Sequence, residues 1–153
     1  MKTLIDRYES DGDLLGQAIA GLSRDELTSF PIPGTWSIQQ VILHLLDSDL
    51  VSADRMKRVI AEPSPTLLAY DETLFAKHLN YQQLDAELAC DMFRLNRKMM
   101  AKILRLVPDE AWSRTGNHTE RGVESLKQIL DIYIGHLHHH LKFVSEKRKV
   151  LGK

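Results

Sequence analysis

Cysteine occurs once in the 153 residues, at Cys90, so neither an intramolecular disulfide nor a zinc site built on several thiolates is available. Charge of one sign is also missing. Twenty Lys and Arg face 21 Asp and Glu, and a formal charge of −1 offers no basic field for a phosphate backbone, which speaks against nucleic-acid binding. No run approaches the roughly 20 apolar residues that span a bilayer. The first residues reach Asp6 too early for a secretory signal, so the chain reads as a cytoplasmic protein. There is no P-loop, no Gly-rich dinucleotide turn and no Ser/His/Asp signature. Disorder is excluded as well, since 43% of the residues are hydrophobic and the net charge is close to zero. Residues 1–153 suit a single domain.

Glycine and proline are scarce and clustered, and they cut the chain into four long segments. The first, about 4–22, carries Leu4, Ile5, Tyr8, Leu14, Leu15, Ala18, Ile19 and Leu22 at helical spacing, with Gly12 and Gly16 weakening its middle. Ser23–Glu26 has the spacing of a capping box and predicts one short extra turn before Pro31, Pro33 and Gly34. The second opens on another such box, Ser37–Gln40, and runs to about Ala61, where Pro63 and Pro65 stop it. The third covers about 81–106, with an expected inward seam of Leu84, Leu88, Met92, Leu95, Met99, Ile103 and Leu106. The fourth spans about 123–147, with Leu126, Ile129, Leu130, Tyr133, Leu137, Leu141 and Val144 inward. No alternating strand pattern of useful length is evident. Four amphipathic stripes predict an all-α four-helix bundle. The roughly 20-residue connection between helices two and three has the length of a functional loop and holds a short helix near 71–77.

The excess in this composition is histidine: seven residues, four of them within 136–140. His136 and His140 lie one turn apart on one helical face, an arrangement in which two imidazoles reach a single metal ion. His138 points nearly opposite, toward solvent, and His139 is a weaker competitor. His44 lies on or beside the buried stripe of the second helix and is the best third ligand. Asp47, one turn on, is the candidate to hold the His44 ring in its ligating tautomer. Each feature has a plainer reading. An inward histidine is commonly a hydrogen-bonded core residue, and an i,i+4 pair arises readily in a His-rich run. His78 and His118 read as surface or loop residues, Cys90 as an unactivated thiol, and Trp36 and Trp112 as packing plugs. The inward Glu-x-x-His pairs of a di-iron bundle are absent.

Trp36-Ser37 followed by His44-Leu45-Leu46-Asp47-Ser48 resembles the second helix of the DinB-like, or YfiT-like, metalloenzyme superfamily. The C-terminal half matches more closely, from Trp112-Ser113-Arg114-Thr115-Gly116-Asn117-His118 through Gly122 and Ser125-Leu126 to Tyr133-Ile134-Gly135-His136-Leu137-His138-His139-His140-Leu141. The resemblance covers nearly the whole chain. It implies a divalent metal held by His44, His136 and His140, a bundle that commonly forms homodimers, and relatives that include low-molecular-weight-thiol transferases, a thiol-dependent isomerase and metal-dependent hydrolases.

Imidazole ligands with an open position suit zinc, nickel or iron and favour an enzyme that activates a thiol or a water. Transfer of a thiol to a small-molecule substrate is the preferred reaction, followed by hydrolysis, with Asp71-Glu72 of the long loop as base or substrate contact. The opposing reading is a non-catalytic metal-binding or dimerising helical module.

Overall fold

The computed structural model describes residues 1–153. Seven α-helices are present: α1 (Lys2–Ser10), α2 (Leu14–Ile19), α3 (Arg24–Thr28), α4 (Ile38–Ala61), α5 (Glu72–His78), α6 (Ala86–Leu106) and α7 (Leu126–Val150). The first predicted segment is interrupted at its middle, where a 3₁₀ turn over Asp11–Asp13 joins α1 to α2. Together α1 and α2 form one side of a four-helix bundle whose other members are α4, α6 and α7. No helix is long and apolar enough to cross a membrane.

Capping sets where these helices begin. Ser23, Ser37 and Ser125 each accept a hydrogen bond from the N3 amide, and the side chains of Glu26, Gln40 and Gln128 each accept one from the backbone N–H of the cap residue. Two orphan donors are thereby satisfied at each start, worth typically ~1 kcal/mol per cap. The Ser125 box explains why α7 begins at Leu126 rather than at Val123. The preceding residues are a strand, β3 (Gly122–Ser125), which pairs antiparallel with β2 (Thr115–His118). The two-residue β1 (Thr66–Leu67) pairs parallel with β2 on its other edge.

This small sheet was not expected from the sequence. Strands of two to four residues hold too few positions for an alternation to register. Two glycines make it possible. A Cβ at Gly116 would lie 2.9 Å from the Leu67 side chain, and Gly122 closes the hairpin at φ +80. The hairpin carries His118, expected at the surface or in a loop, into a buried position where 2% of it is exposed.

The third helix corrects a second expectation. Leu84, Leu88, Met92, Leu95, Met99 and Leu106 are exposed, and α6 instead buries Ala86, Ala89, Cys90, Phe93, Arg97, Met100, Ala101 and Leu104. The small residues let α6 approach α4 closely. Arg97 can sit inside because Asp49 of α4 meets its Nε at 2.9 Å, with both side chains 1% exposed. Asn96 donates to the same carboxylate at 2.7 Å, and a second Arg97 nitrogen donates to the Tyr133 carbonyl of α7 at 3.1 Å. The guanidinium also lies over the rings of Tyr8 and Phe93. One buried ion pair therefore ties α4, α6 and α7 together beside α1.

Candidate metal centre

α4 and α7 pack against each other and bring His44, His136 and His140 to one point. Three ligand nitrogens, one from each ring, all lie within 4.8 Å of one another. His44 is fully buried, and its Nε2 is 3.2 Å from Nε2 of His136. Trp36, at the entry to α4, sets its edge against the His44 ring with centroids 5.2 Å apart. The sequence reading of Trp36 as a packing plug thus acquires an object: it packs against His44.

The donor set suits a divalent ion. Two nitrogens bound to one ion at 2.0–2.1 Å with tetrahedral angles lie about 3.3 Å apart, close to the His44–His136 separation. All three rings are held in the neutral, ligating form. Burial is the main cause for each and lowers His44 to about 4, His136 to about 3 and His140 to about 4. Repulsion from neighbouring histidines adds to it, from His140 on His44 and from His139 on His140. Buried Nδ1 atoms of His44 and His140 make no hydrogen bond to the protein.

Asp47 does not orient His44. Its carboxylate accepts a hydrogen bond from the Tyr81 hydroxyl, which belongs to a 3₁₀ turn after α5. The residue sits at the edge of the buried stripe and turns toward the long connection. That connection supplies the acidic group closest in role to the one expected. Asp71 caps α5 by accepting from the Leu74 amide at 2.9 Å, and this places Glu72 at the first helical position with Oε2 3.7 Å from His44 Nε2. Of the pair Asp71-Glu72, then, one builds the turn and the other reaches the triad.

The remaining histidines lie elsewhere. His138 faces away and is only partly in solvent, because its ring meets Asp11 at 2.8 Å. His139 is exposed and meets the Phe143 ring edge-on. Cys90 is buried, and burial first, then Asp91, pushes its thiol up to about 12, so it is no nucleophile.

Two cavities meet at the triad. One, of about 250 Å³, is polar and is lined by His136 and Glu72 together with Ser48, Arg55, Tyr70 and His118. The other, of about 410 Å³, is lined by His140 and Glu72 with Trp36, Val41, Phe143 and Lys147. Glu72 borders both. Sequence reasoning missed Arg55, Tyr70 and His118, which come from α4, the long connection and β2 and share no local motif.

The DinB superfamily model matches residues 7–144. A protein of Oceanobacillus iheyensis named "Putative metal-dependent hydrolase OB0782" is 31% identical over 147 residues, covering 95% of this chain and 85% of the relative. The Bacillus subtilis "Putative metal-dependent hydrolase YfiT" is 25% identical over 139 residues, covering 90% of this chain and 78% of its own. The solved YfiT structure, described as having an unusual four-helix bundle topology, superposes with a TM-score of 0.92 at 24% identity, over 99% of this chain and 87% of that one. The mycothiol-dependent maleylpyruvate isomerase superposes with a TM-score of 0.71 at 11% identity, over 92% of this chain and 58% of its own. A four-helix bundle of YfiT topology, a convergent histidine triad and a family match over residues 7–144 agree: the chain belongs to the DinB superfamily.

Proposed function

We propose that His44, His136 and His140 bind one divalent ion, zinc, nickel or iron, and that the chain is a metal-dependent enzyme transferring a low-molecular-weight thiol to a small-molecule electrophile. The observation that carries this reading is the convergence of three neutral imidazole nitrogens within 4.8 Å, with a carboxylate 3.7 Å from one of them, where two cavities meet. A divalent ion bound there lowers the pKa of a coordinated thiol or water and so supplies a nucleophile near neutral pH.

The chain's own groups provide the rest. Glu72 is placed to accept the proton released at the triad, and its side chain is 56% exposed, so it can return that proton to solvent. His44, locked between Trp36 and the other two rings, fixes the geometry of the site. Two cavities of different character, one polar and one with Trp36 and Phe143 on its wall, let two reactants approach from different sides. A transfer needs that arrangement, whereas hydrolysis needs one organic substrate and water. Hydrolysis is the second reading, favoured by the names of the relatives.

Elemental analysis of the wild type and His44→Ala tests the triad, with one equivalent of metal expected in the first and none in the second. The metal-loaded protein is then incubated with an alkylating electrophile and a panel of cellular thiols. Turnover that does not depend on thiol favours hydrolysis. No metal after reconstitution refutes the enzyme reading, and metal without turnover leaves the non-catalytic module. We also propose a homodimer, supported by the apolar stripe that α6 leaves uncovered.

A further inference from the structure

The polar cavity beside His136 contains a buried guanidinium that forms no ion pair with any carboxylate of the chain. Arg55 is 3% exposed, and its guanidinium donates to the Tyr133 hydroxyl at 2.5 Å and to the Leu68 carbonyl, both uncharged acceptors. Burial raises the Tyr133 pKa, so this phenol stays neutral and is no counter-ion. The chain's buried carboxylates are engaged elsewhere: Asp11 with His138, Asp49 with Arg97 and Glu124 with Arg121. The Nε–H of Arg55 has no acceptor. Across the cavity, His118 accepts at Nδ1 from the amides of Glu120 and Arg121, at 3.2 Å each. Its proton is therefore on Nε2, which is buried and also without a partner. Both residues line the same cavity as the triad member His136. An uncompensated buried cation and two unmatched donors are costly for folding and cheap to keep only if an anion completes them.

We propose that this cavity is the subsite for a carboxylate of the small-molecule substrate, held by Arg55 and His118 while the rest of the molecule reaches the triad. Its catalytic role rests on the metal-enzyme reading above; the binding itself does not. A monoanion balances Arg55. A phosphate dianion would leave excess negative charge beside Glu72 and Glu120, which line the same cavity, because the cavity's other guanidinium, Arg121, is already paired with Glu124.

The test uses ¹⁵N-labelled, metal-stripped protein, with arginine and histidine side-chain NMR signals followed during titration with butyrate, its neutral isostere butyramide, and inorganic phosphate. Butyrate is expected to shift the Arg55 Nε and His118 ring signals saturably. Butyramide should bind about tenfold more weakly or worse, the loss of one charge-assisted hydrogen bond, and phosphate should also be weaker than butyrate. His118→Phe, which keeps a ring in the strand, should weaken butyrate with helical circular dichroism and metal content unchanged. Equal affinity for butyrate and butyramide, tighter phosphate binding, shifts confined to residues outside the cavity, or no saturable shift at all overturns the proposal. Metal content measured on a parallel, unstripped sample separates the two readings. Butyrate bound at Arg55 in a chain that takes up no metal refutes the metal site alone, and metal uptake without butyrate binding refutes the subsite alone.

Discussion

His44→Leu should make the metal-free protein more stable and the zinc-loaded protein less stable than the wild type. His44 is fully buried in α4, its Nδ1 has no partner, and burial first, then repulsion by His140, lowers its pKa to about 4. The orphan nitrogen costs about 1–3 kcal/mol, and the one bond it makes, 3.2 Å to His136, is worth about 1 kcal/mol. Leucine is close in size, suits a helix interior and removes both terms. His136 is then left without this partner, but it is only partly buried and water can replace the lost bond. The net gain without metal is therefore about 1 kcal/mol, or roughly 2–4 °C in Tm for a chain of this size. Zinc at a hundredfold above its Kd stabilises the wild type by about 2.7 kcal/mol, roughly 5–10 °C, and this increment vanishes in the variant. Thermal melts in EDTA and in zinc thus rank the two proteins in opposite orders. A variant less stable in both, or one that keeps the full zinc response, would refute the assignment of His44 as a ligand that the fold tolerates at a cost.

Arg97→Met leaves Asp49 buried without a cation and should cost about 3–5 kcal/mol in urea unfolding, and adding Asp49→Leu to it should recover most of that loss. Leu88→Glu combined with Met99→Glu, both on the exposed stripe of α6, should convert a dimer to monomer in light scattering without changing helical content; an unchanged mass excludes that face. For the metal-free chain, the triad histidines have folded-state pKa values of about 3–4, below the ordinary 6.5, so on acidification the unfolded state takes up protons first. Stability should fall from about pH 6.5 down to about 4 and be flat in this respect above it. Melts at pH 7.5 and 5 check this, with a smaller decline expected in His44→Leu.

Local chemistry explains which parts were legible. The serine boxes at Ser37 and Ser125 and the prolines after Ala61 act through hydrogen bonds and backbone sterics within a few residues, so α4 could be read directly. His136 and His140 share a face by helical arithmetic alone, the buried stripe of the second helix singled out His44, and the resemblance implied the same three residues. Asp47 misled because its partner, Tyr81, is 34 residues away in a turn that no periodicity announces. His118 misled for a similar reason: it is buried by a hairpin of four-residue strands, and its burial depends on Gly116 yielding space to Leu67.

The error on α6 has a different origin and a functional consequence. Periodicity locates the most apolar face of a helix, which is the buried face only when burial is driven by hydrophobic area alone. On α6 the inward face is decided by close approach through the small residues Ala86, Ala89 and Ala101 and by the Arg97–Asp49 pair, neither of which shows in a seam of large apolar side chains. The same pair bonds the backbone of Tyr133, one turn before His136, so the polar contact that displaced the leucine seam also fixes α7, with its two triad histidines, against α4, which carries the third. The fold thus positions its triad with a buried ion pair, and the seam that pair displaced is left as an apolar surface on the outside of the bundle. Site geometry and exposed stripe are two results of one packing choice, which is why a substitution at Arg97 should disturb metal binding while substitutions at Leu88 and Met99 should leave it intact.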